Sequence, residues 1–600
     1  MLKNNTSVAC YTRLPQEDSI YSAKLAYSMH LAIKNENESY RALNHNCGIL
    51  FAKATEGEEG ALTAKSLKSP YLFKQEDGMY GVIAVRTEAF GEIEEESKGK
   101  VLYFTTKDLL QYDEIGFLEL KANTVINQVL CEYSKDLRSY IIQWKDTDGN
   151  WYKNEWKESQ ELDNVSESVR IESVDFKEIS LGIEETIPGN EIEVDKEIVN
   201  QMILRLETPE NTGVSVLDQV IISSKEDLQN VKALLHYSDG TSCRRKVDWV
   251  LDSIDFDKPG IYEVNGKIHQ DHYPFPIAIN RADPCIARWE GKYYFIATND
   301  ADGNHTIFIR EADTISDLVD AEEVLILDST TYESIGNLLW APELHTIGED
   351  LYIFHAATPG EFLCEESHVM KLRRGGNPTN RADWSAPKRV VKKDGSYLCE
   401  EGKVISLDMT VFSWENEYYV VWSQRQFVPV DNGAWLYIAK VNPEEPWRLT
   451  SDPVLLSKPD YGWANNHTFV DEGPFALIRD GQLYLTFSSA AVDATYVVGL
   501  LTAKQGSDLL SPDSWVKTNY PLLTSRSVEG QYGPGHNSYV EDEEGLIWNA
   551  YHARAGLEEP RSSGIRRVHF NKAGFPILDM TEEKDIKEEY KDVKVEIQIT

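Results

Sequence analysis

Five side chains, Asp283, Glu343, Asp408, Glu472 and His536, recur at intervals of roughly 60 to 65 residues, each shortly before an aromatic-rich segment. The segments are 291–300 (GKYYFIATND), 349–357 (EDLYIFHAA), 416–424 (NEYYVVWSQ), 480–490 (DGQLYLTFSSA) and 544–554 (EGLIWNAYHAR). Each has a turn-forming Gly, Asp or Asn within its first two residues and runs into β-branched and aromatic residues, as a strand does after a hairpin. A repeat of that length with several short strands cannot bury its own faces, whereas five arranged radially can. The chain is therefore expected to be all-β, with a five-bladed β-propeller over residues 275–600. The first strand of every blade lines the axis, so equivalent residues of successive repeats are expected to converge on one pocket.

The remaining composition narrows the function. The chain has 600 residues and a formal net charge of -39, which disfavours binding to phosphate backbones or anionic lipid, so neither nucleic acid nor membrane is an expected partner. The N-terminus has no apolar core of signal-peptide length, which leads to the expectation of a cytoplasmic protein, with a secreted form whose leader was replaced as the alternative. Cys10, Cys47, Cys131, Cys243, Cys285, Cys364 and Cys399 have no paired spacing and read as free thiols. No HExxH, P-loop or GxSxG element points to another catalytic class.

Two units precede the repeats. Residues 1–165 read as an all-β accessory domain, partly blade-like: Ser69-Pro70-Tyr71 before a turn and strand at 77–83 can be laid beside Asp283-Pro284-Cys285, so that Ser69 stands where the later repeat has Asp283. An ordinary β-sandwich has the same alternation. Residues 166–274 read as an acidic, aromatic-poor linker followed by a small β-sandwich. Within it YSDGT, VDW and KPGIYEVNGKI resemble bacterial immunoglobulin-like domains.

The residues carrying the repeat resemble glycoside hydrolase family 43. The matching stretches are RADPCI (281–286), LLWAPELH (338–345), ISLDMTVF (405–412), VDEGPFAL (470–477) and QYGPGHNS (531–538), and LDMTVF, VVWSQ, VDATYVVGLLTA and YGPGHNS together look closest to exo-acting α-L-arabinofuranosidases. The resemblance implies that Asp283 is the general base, that Asp408 tunes and orients the acid, and that Glu472 is the general acid. Glycosidic cleavage needs such a division, one carboxyl protonated and one ionised across the bond. A carboxylate beside the acid would raise its pKa by repulsion.

Around these acids, Trp340 could offer a ring to a sugar face, Glu343 contact substrate or brace its neighbours, and Asn299, Gln424 and Arg567 hydrogen-bond hydroxyls. The match for Arg567 rests on an arginine position within an HTR-like sequence of the family, with Arg566 as a competitor for register. For His536 the resemblance implies a calcium or other structural cation near the axis, held largely through water; the chemistry itself requires no cofactor. The reading is an inverting exo-glycosidase removing terminal α-L-arabinofuranosyl units from arabinan or arabinoxylan oligosaccharides. β-D-xylosidase, endo-arabinanase, exo-β-1,3-galactanase and a non-catalytic carbohydrate-binding propeller are its alternatives. Sequence leaves the oligomeric state open.

Overall fold

A computed structural model describes residues 5–157, 161–176, 179–252 and 254–600. The chain is all-β. Its second half folds into five antiparallel sheets whose inner strands are Arg281–Trp289, Asn337–Ile347, Val404–Trp414, Asp471–Arg479 and Tyr532–Glu541. Each inner strand turns back through a hairpin. At Glu290-Gly291, Glu415-Asn416 and Asp480-Gly481 both turn residues have positive φ, the geometry that matches the twist of the flanking strands. This is why the turn residues Gly, Asp and Asn mark the repeats so regularly.

The five sheets close on themselves. Each inner strand packs beside the next, and the last lies against the first. The fifth sheet is completed by Ala278–Ile279, from before the first inner strand, pairing with Ser562–Arg567. Apolar residues fill the gaps between sheets: Tyr294 and Ile296 meet Leu344 and Ile353, while Tyr352 and Phe354 meet Val420 and Trp422. Every such residue is at most 4 % exposed, so each sheet is stable only between its neighbours.

One irregularity repeats in all five inner strands. Two residues loop out against one on the partner strand at Asp283-Pro284, Ala341-Pro342, Asp408-Met409, Gly473-Pro474 and His536-Asn537. The first residue of each pair is left-handed, with φ of 51°, 44°, 54°, 53° and 51°. Such a backbone costs about 1–3 kcal/mol in a non-glycine residue and re-aims the side chain, and it concentrates near functional sites. It also corrects the equal-offset expectation. Asp283, Asp408 and His536 are structurally equivalent, but Glu472 sits one residue before its bulge and Glu343 one residue after its own.

The first part of the chain holds three further four-stranded sheets, and Lys65–Lys74 carries the same bulge at Ser69-Pro70, with φ of 49° at Ser69. Thr186–Asp195, which the sequence places in the linker, pairs with Asn5–Arg13. The unit after it is two small sheets packed around Leu235, Trp249, Val264 and Ile597. Its central strand is Asp592–Ile599 from the far end of the chain, which pairs antiparallel with Gly260–Ile268 and parallel with Gln219–Ile222. The strand pairing thus divides the chain differently from the boundaries at 165 and 274: both middle and last segments are stitched to earlier ones. All seven cysteines are free.

Candidate active site

Asp283 is the most strongly fixed of the acids. Its Oδ1 lies 3.2 Å from Nδ1 of His536, 3.0 Å from Nδ1 of His552 and 3.2 Å from a guanidinium nitrogen of Arg561. Arg561 in turn grips both oxygens of Asp300 at 2.9 and 3.0 Å. Burial opposes a charge at Asp283, yet Arg561, His536 and His552 hold its carboxyl well below the usual carboxylate range. It is therefore an ionised group kept nearly dry. Arg561→Gln should shift the acid limb of kcat/KM upward by about one to three pH units, because a base that loses its cation is protonated at higher pH. An unchanged acid limb would remove Arg561 from this role.

Asp408 and Glu472 respond in the opposite direction. Burial is the first cause for both; among the charges, Glu472 and Asp283 raise Asp408, and Asp283 raises Glu472. His536 pulls both back down, the Gly473 N–H donates to Asp408 Oδ2 at 3.0 Å, and the Tyr496 hydroxyl donates to Glu472 Oε1 at 2.8 Å. Each of the two acids therefore keeps a proton to higher pH than a free carboxyl would, Asp408 up to about 8. Gly473 has no alternative here: with φ of 53°, a Cβ would stand 2.9 Å from Nδ1 of His536. Burial acts against His536 as well, but the four carboxylates Asp283, Asp408, Glu343 and Glu472 raise its pKa.

The other expected site residues divide. Glu343 faces the same centre, since its charge reaches His536, and its Oε2 contacts His345 Nε2 at 2.6 Å. Trp340 is partly exposed at the start of the second inner strand, with Nε1 donating to Asn304 at 3.0 Å and its ring edge-on to Phe362. Gln424 is partly exposed beside Ser406, two residues from Asp408. Asn299 is committed elsewhere, accepting from Arg281 and the Ala301 N–H and donating to Thr306.

Arg567 is not at the pocket. It is buried against Asp585 at 2.5 Å, beside Arg245, Tyr237 and His569, where the immunoglobulin-like unit meets the last sheet. Arg566, its competitor, donates to Gln531 and Tyr551. Arg567→Ala removes one of two arginines from Asp585, which keeps Arg245 at 2.6 Å, so it should cost about 1–3 kcal/mol, seen as a lower Tm with kcat on a small aryl glycoside unchanged. A fall in kcat with an unchanged Tm would put Arg567 back in the pocket.

Sequence reasoning missed Arg561, His552, Tyr496 and Glu365. Tyr496 stacks flat on His552 at 5.3 Å, and Glu365 is wholly buried near Asp408 with neither carboxyl oxygen hydrogen-bonded. As for a cation, no group of three or more His, Cys, Asp or Glu among the described residues is arranged to hold one. His536 offers a single buried, unpartnered Nε2. That donor set does not fit an ion held by protein side chains alone.

The family pattern of the glycosyl hydrolases family 43 matches residues 273–576, which span all five inner strands, and that of the bacterial Ig-like domain (group 4) matches 229–271. The chain belongs to glycosyl hydrolase family 43. It is a glycoside hydrolase, and carbohydrate is its substrate class. It is 34% identical over 287 residues to an extracellular exo-α-(1→5)-L-arabinofuranosidase of Streptomyces chartreusis, an alignment covering 47% of this chain and 82% of that one. It is 31% identical over 306 residues to α-L-arabinofuranosidase B of Pyricularia oryzae, covering 49% and 60%. A second extracellular exo-α-(1→5)-L-arabinofuranosidase, from Streptomyces avermitilis, is 32% identical over 312 residues, covering 50% and 62%. The chain thus spans less than two thirds of the last two relatives. Among solved structures, an α-L-arabinofuranosidase from Lactobacillus brevis is 30% identical with a TM-score of 0.47, covering 52% of this chain and 98% of that one.

The expectation of a cytoplasmic location is overturned. Two of these relatives are extracellular arabinofuranosidases, which points to secretion. No helix among the described residues is long and apolar enough to cross a membrane.

Proposed function

We propose that this family 43 hydrolase is an inverting, exo-acting α-L-arabinofuranosidase that releases terminal α-L-arabinofuranosyl units from arabinan- or arabinoxylan-type oligosaccharides. The five closed sheets act as the blades of a five-bladed β-propeller, with the bulged ends of the inner strands forming the pocket floor. One observation carries the assignment of roles: of three acids on three different sheets, Asp283 is pushed down by Arg561, His536 and His552, all within 3.2 Å, while Asp408 and Glu472 are pushed up by burial and by the charge of Asp283. That is the pairing an acid–base hydrolysis needs. Asp283 draws the proton from a water on one face of the sugar, Glu472 protonates the departing oxygen, and Asp408 shares and steers the acid's proton. Trp340, Glu343 and Gln424 contact the sugar from the second and third sheets. The sugar follows from the relatives, which are α-L-arabinofuranosidases.

The test is direct. Purified protein should release p-nitrophenol from the α-L-arabinofuranoside much faster than from the β-D-xyloside, and NMR of the first product should show the anomer opposite to the substrate's. Faster xyloside cleavage would overturn the sugar assignment. Retention of configuration would overturn the mechanism.

A further inference from the structure

The direction of the strands identifies which loops surround the pocket. Each inner strand starts near its bulge and runs away, the second strand returns, and the third leaves again. The connections at 299–306, 358–366, 426–433, 489–497 and 554–562 therefore rise on the pocket face, as do those leading into the inner strands, such as 458–470 and 518–532. The first module of the chain grips this face. Ala54 N donates to Asp460 O at 2.6 Å, Gly462 N donates to Ala52 O at 3.2 Å, and Lys458 pairs with Glu56 at 2.6 Å. At the other side Arg526 donates to His45 O at 3.0 Å.

A further contact is a three-member clamp. Asp18 lies 2.7 Å from Nε2 of His467, whose Nδ1 lies 2.7 Å from Asp493. His467 is left-handed, with φ of 61°, and precedes Glu472 by five residues; Asp493 precedes Tyr496, the donor to Glu472, by three. Asp18 is thus tied to both segments that hold the proton-donating carboxyl. In the same segment as Asp18, Leu14 and, in the helical turn Asp18–Tyr21, Ile20 are apolar side chains 48% and 40% exposed.

We propose that the first module is one wall of the catalytic mouth, and that the segment carrying Leu14, Asp18 and Ile20 holds the saccharide chain beyond the terminal sugar. The wall rests on the arabinofuranosidase reading and deepens it. It selects linear arabino-oligosaccharides through contacts that a single sugar on a small aglycone never reaches. Asp18 and His467 are positioning residues; they fix the wall to the mouth and take no part in proton transfer.

The experiment compares p-nitrophenyl α-L-arabinofuranoside with linear α-1,5-arabinohexaose in the full-length protein and in Asp18→Ala, His467→Ala and Ile20→Glu. For each variant KM for the hexaose should rise about five- to tenfold with kcat unchanged, while both constants for the aryl substrate stay within about twofold, the signature of lost binding remote from the reacting bond. Ile20→Glu changes an exposed side chain outside the clamp, so it separates loss of the wall surface from loosening of the module. Variants whose two substrates move together, or not at all, overturn the wall. Unaltered protein that hydrolyses neither substrate overturns the arabinofuranosidase reading itself, and the wall with it.

Discussion

Asp283→Asn should lower kcat on arabino-oligosaccharides by about a thousandfold or more, since general base catalysis contributes up to about 10⁴ and no neighbour can take over. His552 and Arg561 are donors or spectators at that carboxyl, His536 is drawn toward its charged form by the surrounding acids, and Asp300 is held by Arg561. The amide keeps the size of the carboxyl and its left-handed backbone, so the fold should survive. Arg561 retains Asp300 as a partner and is not left as an isolated buried charge. The change should therefore appear in kcat with little loss of Tm. A protein retaining near-normal turnover would end the assignment of Asp283 as the base, because the low pKa imposed by three neighbouring cations or imidazoles would then serve only structure.

The strength of that prediction comes from features with different visibility in the sequence. Repeat length, hairpin turns and the acid-bearing segments were legible because they are local: Glu290-Gly291 and Asp480-Gly481 specify their own turns. What local pattern cannot give is the register within the ring. Spacing suggests that Asp283, Glu343, Asp408, Glu472 and His536 are equivalent, but the bulges align only three of them, since a bulge adds a residue to one strand without leaving a mark in the sequence. Proline follows the left-handed residue in three of the five pairs, at Pro284, Pro342 and Pro474, and is the nearest thing to a signal.

Arginines were the least legible residues. Arg561, in a connection between strands, is brought to Asp283 only by closure of the ring, whereas Arg567 six residues later faces another unit and is claimed by Asp585. Alternation along Ser562–Arg567 places Arg566 and Arg567 on opposite faces, and nothing in GIRRVHF says which face meets a neighbouring unit. The same holds for Asp592–Ile599, whose partners lie more than 300 residues earlier. Long-range pairing decides the domain edges, and short-range texture does not report it.

Glu472→Gln should separate two substrates that Asp283→Asn treats alike. For an oligosaccharide, whose departing alkoxide must be protonated as the bond breaks, loss of the acid should cost about 10³ to 10⁴ in kcat. For p-nitrophenyl arabinofuranoside, whose leaving group is stable as an anion, the cost should be far smaller, on the order of tenfold. The pH profile gives an independent reading. The acid must carry its proton to act, so activity falls as pH rises through the pKa of Glu472, and burial with the charge of Asp283 moves that fall to higher pH. In Glu472→Gln the alkaline limb should vanish for the aryl substrate. If Glu472→Gln slows both substrates equally and leaves the alkaline limb in place, the proton comes from elsewhere, and the buried carboxyl of Glu365 behind Asp408 becomes the group to replace next.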